Sequence, residues 1–374
     1  VGIGVGSTVW RKRGNDGENR TSTESEEYFL AGRSAAFWAV GASLFASNIG
    51  SEHFIGLAGS GAKVGMSVSW GEWLSPWAIL LLGWIFLPFY MSARVYTMPE
   101  FLERRYSWVL RVYYAALLLV LYILTKISVA LYAGAVVLQQ TVGVDIWVGA
   151  WILVIATGAY TAVGGMGAVI YTEVLQTVVL IVGGLVLLWK ALEEVGGMDQ
   201  MFRSVPEENS HLFQPPSHED FPWTGVMFGM PFTSIWYWCT DQNVVQRCLS
   251  AKSKGHGRSG TIMAAFLKIL PPFMMVVPGI CARALFDDEM KANSEGYNVA
   301  FPLLVMRLLP SPLLGLMVAS MLAALMSSLA SVFNSTSTIF TMDVWRRIRP
   351  GATDHELVNV GRLATGVITV LGLL

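Results

Sequence analysis

Long apolar runs separated by short polar segments dominate the chain and predict membrane-spanning helices. An α-helix needs about 20 apolar residues to cross a bilayer. Windows of this kind predict spans at 36–58, 66–91, 112–140, 146–163, 169–190, 223–245, 260–285, 312–343 and 357–374, with a remnant of a flanking helix at 1–10. Charged residues make up only 14% of the chain, against ~25% in soluble domains. We therefore expect an all-α polytopic membrane protein.

The charges in the connecting segments predict how the chain is oriented. Basic residues follow Val1–Trp10 and the runs ending at 91, 245 and 343, whereas acidic residues fill 191–222 and 286–298. If each run crosses once, every basic segment lies on one side and both acidic segments on the other. The positive-inside rule places the basic side in the cytoplasm, so 191–222 is predicted as an extracellular loop. A net charge of −1 gives no indication of a nucleic-acid partner, and we expect none.

Polar residues interrupt the first complete span. Asn48, Glu52 and His53 surround Gly50 inside the apolar run 36–58. Each ionisable side chain at the centre of a bilayer costs ~2.5–3.5 kcal/mol. A broken helix that lines a cavity accepts such a cluster, because its free carbonyls and polar side chains then face a solute or an ion. The pattern therefore predicts a transport site.

A second interruption is predicted at 229–242. Pro231 is expected to disrupt the helix there, and Trp236, Tyr237 and Trp238 follow beside Ser234, Thr240, Asp241 and Gln242. Aromatic faces beside hydrogen-bonding groups suit a sugar, although three clustered aromatics are equally typical of anchors at the membrane interface.

The two interrupted spans lie five crossings apart and run in opposite directions, which is the pattern of an inverted repeat. We expect one five-helix repeat at 36–190 and a second at 223–374, each beginning with a discontinuous helix. The second repeat contains four spans, so its last helix is predicted to lie beyond Leu374. Apolar runs at Val1 and Leu374 suggest a fragment cut inside a helix at each end.

Ionisable residues inside the predicted spans are functional candidates by default, with structural pairing as the alternative. Those favoured as ligand contacts are His53, Glu72 and Lys268. Those favoured for structure or for conformational coupling are Glu52, Lys126, Glu173 and Asp241.

Small and hydroxyl residues line one face of segment 312–343. They are Ser320, Ala324, Ser327, Ser328, Ser331 and Ser335. Close helix packing explains such a face on its own. A sodium site is the alternative, in which the Ser327 and Ser328 hydroxyls face unwound carbonyls near Ala46 and Ile49.

Several long runs resemble the sodium/solute symporter family, and most closely its sodium/glucose cotransporter branch. The matching runs are Gly41–Ser51 continuing through Gly56–Gly59, Tyr122–Ser128, Trp236–Gln242 continuing to Lys252, Met326–Leu329, and Phe333–Ser335 continuing to Asp343. The similarity covers nearly the whole chain. It implies a fold of two inverted five-helix repeats with flanking helices.

The resemblance also implies two sets of ligands. Sodium would be bound by the backbone oxygens of Ala46, Ile49 and Ala324 and by the hydroxyls of Ser327 and Ser328. The positions that match sugar contacts are Asn48, His53, Glu72, Ser234, Tyr237, Trp238 and Lys268, with Tyr237 as an inner lid. The family places a further sugar-contacting glutamine in the span that is missing here.

Two positions depart from the family. Glu52 stands where vertebrate sugar carriers have glycine, although a bacterial relative is similar to this chain in having glutamate. Ala130 replaces an aspartate that usually follows the Lys-Ile-Ser run, which puts coupling through Lys126 in question. Neither departure removes a predicted sodium ligand.

These observations predict a secondary active symporter in the cell membrane that couples inward sodium flow to uptake of a monosaccharide or polyol. A sodium/myo-inositol or other small-solute symporter is the nearest alternative. A sodium-conducting sugar sensor that transports nothing belongs to a different class. We do not expect an enzyme, because the sequence shows no pairing of a nucleophile with a base and no metal-binding motif.

Overall fold

The computed structural model describes residues 22–50 and 52–373. The helix remnant predicted at 1–10 lies outside these residues. Within them the chain is helical almost throughout, and strand-like pairing is limited to isolated bridges such as the one between Ala35 and Ala251. The predicted all-helical class is confirmed.

We number the main helices of the described residues in chain order. They are α1 (Glu24–Leu30), α2 (Phe37–Ala46), α3 (52–64), α4 (Met66–Ala93), α5 (Met98–Arg105), α6 (Trp108–Val142), α7 (Ile146–Val195), α8 (Met198–Arg203), α9 (223–240), α10 (Gln242–Leu249), α11 (Lys254–Ala292), α12 (Ala300–Leu308), α13 (Ser311–Ile348) and α14 (Asp354–Leu371). Five of them, α4, α6, α7, α11 and α13, are long and apolar enough to cross a membrane.

The interruption predicted in 36–58 is present. α2 ends at Ala46, and helical structure resumes at Glu52 with a π-helical turn, Glu52–Leu57, that leads into the rest of α3. The helix continues to Val64, beyond the predicted end at 58. In the last turn of α2 the Ser43 and Phe45 carbonyls accept hydrogen bonds from the Ser47, Asn48 and Ile49 amides. The helical hydrogen bonds therefore end at Ile49, directly before the break.

The second interruption is also present, and it has two parts. One helical segment, Trp223–Phe228, ends just before Pro231, and the next, Met230–Ile235, has Pro231 in its first turn. The larger departure is at Asp241, where the backbone leaves the helical region with φ −66° and ψ 128°. The Asp241 side chain then caps α10 by accepting a hydrogen bond from the Asn243 amide.

A bend in α7 accounts for two of the predicted spans. This helix has 50 residues, but at Gly165 the backbone adopts φ 57° and ψ −159°. That conformation is almost exclusive to glycine. The spans predicted at 146–163 and 169–190 are therefore the two arms of α7 on either side of Gly165.

Replacing Gly165 with alanine is expected to destabilise the protein by about 1–3 kcal/mol. An added Cβ would lie 2.6 Å from the Tyr28 carbonyl oxygen, so steric overlap adds to backbone strain. Gly143→Ala is the matched control, since Gly143 has φ 75° but no atom within 4 Å of an added Cβ. Thermal unfolding of both variants in detergent tests this expectation, and equal midpoints would contradict it.

The charged segments sort to two ends of the helical bundle, as their sequence pattern predicts. At one end Arg33 donates to the Val95 carbonyl and Arg347 contacts Glu103. At the other end Arg283 of α11 contacts Asn209 of the acidic segment 191–222. Because α11 itself runs from the basic end to the acidic end, the two ends are opposite.

α13 packs at the centre of the bundle against α6, α7 and α14. Its small and hydroxyl face is buried, including Ser320, Ala324, Ser327, Ser331 and Ser335. Close helix packing, one of the two explanations given for this small and hydroxyl face, is therefore present in the structure. Many large apolar side chains elsewhere are exposed, such as Trp147, Ile155 and Phe232, which suits contact with lipid.

Candidate functional site

A cavity of about 360 Å³ lies between the two broken helices. Its wall combines the break after α2, the start of α3, the middle of α6, the end of α9 and α13. The residues of the predicted site that line it are Asn48, Glu52, His53, Lys126, Tyr237 and Ser328, together with Asn243. The two interruptions predicted from sequence therefore face one space.

Five of the predicted sugar contacts form one hydrogen-bonded network beside this cavity. Lys268 donates to the Glu72 carboxylate and to the Asn48 side-chain carbonyl, both at very short range. The Asn48 amide donates to the Tyr237 hydroxyl at 3.0 Å. His53 Nε2 lies 3.2 Å from Glu72 Oε1. Side chains from the break after α2 and from α3, α4, α9 and α11 are thus joined at one place.

The hydrogen bonds of His53 indicate which of its ring nitrogens carries the proton. The Gly50 amide donates to Nδ1 at 3.4 Å, so Nδ1 acts as an acceptor. Nε2 then carries the proton and donates to Glu72. This arrangement aligns the carboxylate of Glu72 between His53 and Lys268.

Lys268 reaches the network because α11 is interrupted at that point. The first helical part of α11 ends at Leu267, and Pro271 and Pro272 follow. Neither proline has an amide donor, so the backbone cannot continue an undisturbed helix. Lys268 is fully buried, and its charge is neutralised by Glu72.

Four of the predicted sugar contacts do not line the cavity. Trp238 packs edge-on against the Tyr237 ring, with centroids 5.1 Å apart, and is almost fully buried. Glu72 contacts His53 and Lys268 contacts Asn48, and only His53 and Asn48 of these four line the cavity. Ser234 lies on α9 before its π-helical turn and does not line the cavity.

Lys126 and Asp241, which the sequence favours for structure or coupling, form an ion pair. Lys126 Nζ lies 2.9 Å from Asp241 Oδ2, and the Tyr122 hydroxyl donates to Oδ1 at 2.8 Å. The Lys126 ammonium also lies 5.2 Å from the centroid of the Tyr237 ring. This pair links α6 to the break between α9 and α10.

Glu173 forms the centre of a second buried network. Its carboxylate accepts hydrogen bonds from Ser331 at 2.7 Å, from Ser327 at 3.2 Å and from Ser43. Arg247 Nη2 donates to it at 2.8 Å. α2, α7, α10 and α13 therefore meet at one carboxylate.

Arg247 is a residue that the sequence analysis missed. Its charge was counted with the basic segment after 245, but the structure leaves only 1% of the residue exposed. The sequence did contain a signal for a role of Arg247 in the protein interior. The run that resembles the family extends from Trp236 to Lys252, past the predicted end of the span at 245, and includes Arg247. The charge pairs with Glu173 inside the protein instead of marking a cytoplasmic loop.

The predicted sodium ligands come from two regions that touch. Ser328 of α13 lies against Gly50, since a Cβ added to Gly50 would be 2.5 Å from the Ser328 hydroxyl oxygen. Ile49 and Ala324 belong to one buried apolar cluster, and Ala46 is also buried. Ser327 points instead to Glu173. The role of these residues in binding sodium stays a prediction.

Comparison with known proteins identifies the family. The family model of the sodium:solute symporter family matches residues 28–374, and the chain belongs to this family. It is 45% identical to sodium/myo-inositol cotransporter 2 of Mus musculus and 43% identical to sodium/glucose cotransporter 4 of Homo sapiens. Each alignment covers 100% of this chain but only 59% and 58% of those relatives.

A solved structure supports the same fold. The outward-open, substrate-bound structure of a Na⁺-coupled sialic acid symporter aligns with a TM-score of 0.88, covering 99% of this chain and 78% of that one. The sequence identity is 22%, so this likeness concerns the fold alone. Together with its apolar helices, family membership makes this chain part of a multi-pass membrane protein.

Proposed function

We propose that the protein is a sodium-coupled symporter of a small polyhydroxylated solute in the cell membrane. The observation that carries this proposal is the network of Asn48, His53, Glu72, Tyr237 and Lys268 beside a cavity between two broken helices. It combines carboxylate and amide oxygens with ammonium, imidazole and phenol groups. Such a set can both donate to and accept from several hydroxyl groups of one solute.

The size of the cavity favours a single ring over a larger solute. Its volume of about 360 Å³ is near the lower end of the ~300–1,000 Å³ typical of ligand pockets. The Tyr237 ring offers an apolar face next to these polar groups. A hexose and a six-carbon cyclitol both present many hydroxyls around a compact ring and suit this space.

Sodium is the proposed driving ion. Ser328 and Gly50 meet where α13 crosses the break after α2, beside the solute cavity. One monovalent cation moving inward across 100 mV and down a tenfold gradient supplies ~2.3 and ~1.4 kcal/mol. With one-to-one coupling, that total sustains roughly 500-fold accumulation of the solute.

Uptake by the full-length protein in liposomes tests this proposal. Radiolabelled glucose, galactose and myo-inositol would be offered with an inward sodium gradient or with choline replacing sodium. We expect sodium-dependent accumulation of at least one of them above the external concentration. Sodium current without accumulation would indicate a sensor, and the absence of any sodium dependence would contradict symport.

Myo-inositol is the second candidate substrate, because sodium/myo-inositol cotransporters are among the relatives. Sodium/myo-inositol cotransporters and sodium/glucose cotransporters align at 42–45% identity, so the comparison favours neither ring strongly. Competition between labelled glucose and unlabelled myo-inositol in the same liposomes distinguishes the two. The solute that inhibits at the lower concentration is the better substrate.

A further inference from the structure

We propose that Glu52 provides a negatively charged ligand to the cation bound between Gly50 and Ser328, and that it thereby couples ion binding to solute binding. This inference rests on the proposed sodium symport and adds a residue to it. A carboxylate at this place lies between the pocket for the ion and the network for the solute.

The first support is the space around Gly50. A Cβ built on Gly50 would lie 2.5 Å from Ser328 Oγ and 2.5 Å from Glu52 Oε2. The two oxygens are therefore at most twice 2.5 Å, or 5.0 Å, apart, and both border the point that a larger residue at position 50 would fill. Oxygen ligands of a calcium-sized cation lie at ~2.3–2.6 Å, so one such ion can contact both oxygens.

The second support is the state of the Ser328 hydroxyl. Its oxygen is buried and has no hydrogen-bond partner among the described residues. Neighbouring Ser327 and Ser331 both donate to Glu173, so Ser328 stands apart from its neighbours on α13. A buried hydroxyl without a partner is unfavourable. A cation in contact with its oxygen would remove that penalty.

The third support is the charge of Glu52. In the part of the chain that the structure describes, no basic side chain lies within ion-pair distance of its carboxylate. Lys126 and Lys268 both border the site, but they pair with Asp241 and Glu72. Glu52 is thus the carboxylate of this region whose charge a mobile cation can balance.

The position of Glu52 gives this charge a second effect. It directly precedes His53, whose ring contacts both Gly50 and Glu72. Glu52 and His53 both lie on the first turn after the break. A cation that draws the Glu52 carboxylate toward Gly50 also holds this turn, and with it His53, in the geometry that serves the solute. Such coupling is reciprocal, so bound solute also raises the affinity for the ion.

Gly50→Ala tests the space directly. The backbone of Gly50 does not have a positive φ, so alanine fits the backbone and the added methyl group occupies the proposed ion position. We expect the sodium concentration for half-maximal uptake to rise at least tenfold. Gly56→Ala, in the π-helical turn that follows the break, is the matched control, because no atom lies within 4 Å of a Cβ there.

Glu52→Gln tests the charge while keeping the size of the side chain. We expect at least tenfold weaker binding of ²²Na⁺ to the purified full-length protein without solute, measured by scintillation proximity. Sodium should also raise solute affinity less in Glu52→Gln than in the wild type, because the proposed coupling depends on this carboxylate. Unchanged ²²Na⁺ binding together with weakened solute binding in choline would overturn the proposal and make Glu52 a solute ligand.

The wild-type protein and the variants together distinguish a failure of symport from a failure of the role proposed for Glu52. Wild-type protein that binds no ²²Na⁺ and shows no sodium-dependent uptake would contradict symport itself. Wild-type protein that does both, with Gly50→Ala and Glu52→Gln behaving like Gly56→Ala, would leave symport intact and remove Glu52 from the ion site. Size-exclusion elution of each variant confirms that it is folded before binding is compared.

Discussion

Lys268→Ala is expected to reduce solute affinity roughly ten- to hundredfold. Losing a hydrogen bond that involves a charged group costs about 1.5–3 kcal/mol, and each 1.4 kcal/mol is a tenfold change in affinity. Lys268 is fully buried and holds both Glu72 and Asn48. Its loss leaves a buried carboxylate without a counter-ion and frees the amide that positions Tyr237. Binding of tritiated solute to the full-length protein measures the effect.

Two further variants make this result specific. Lys63→Ala removes a lysine whose side chain is 59% exposed and pairs with Asp220 at the acidic end, and it should leave solute affinity unchanged. The double variant Glu72→Gln/Lys268→Met removes both charges. This double variant should be more stable than Lys268→Ala, because no buried charge is left unpaired, but it should not regain solute binding. Wild-type affinity in Lys268→Ala would remove this network from the solute site.

Arg247→Ala is expected to have the largest effect on stability. Arg247 and Glu173 are both buried, at 1% and 0% exposure, so the variant leaves an uncompensated charge inside the protein. The expected cost of about 3–5 kcal/mol is a large part of the 5–15 kcal/mol that stabilises a typical fold. Thermal unfolding in detergent, followed by tryptophan fluorescence, measures the loss.

The control for this variant is an exposed ion pair. Arg307 contacts Glu289 at 2.7 Å, with side-chain exposures of 56% and 46%, and exposed pairs contribute only ~0–1 kcal/mol. Arg307→Ala should therefore unfold close to the wild type. Glu173→Gln/Arg247→Met should recover much of the stability lost in Arg247→Ala. Equal unfolding midpoints for Arg247→Ala and Arg307→Ala would show that the buried pair is not a structural centre.

The five helices that are long and apolar enough to cross a membrane all fall on predicted spans, because membrane helices follow a local rule. A segment that crosses lipid must satisfy its own backbone and present apolar side chains over a fixed length. The same rule makes exceptions visible, so Asn48, Glu52 and His53 signalled the first break. The second break was expected from the aromatic and polar run and from Pro231, and the helix is divided just before that proline. The sequence did not single out Asp241 as the point where the backbone becomes extended, and there the contacts of Tyr122 and Lys126 hold it.

Composition and periodicity alone determined the helical class, the two ends of the bundle and the short set of intramembrane charges. Only the tertiary structure decided which charges meet. Lys126 pairs with Asp241 across 115 positions and Lys268 with Glu72 across 196, while Arg247 leaves its apparent loop to pair with Glu173. Apolar length and local charge are properties of a single segment. A partner depends instead on which helices pack together, because a buried charge is stable only beside the group that neutralises it.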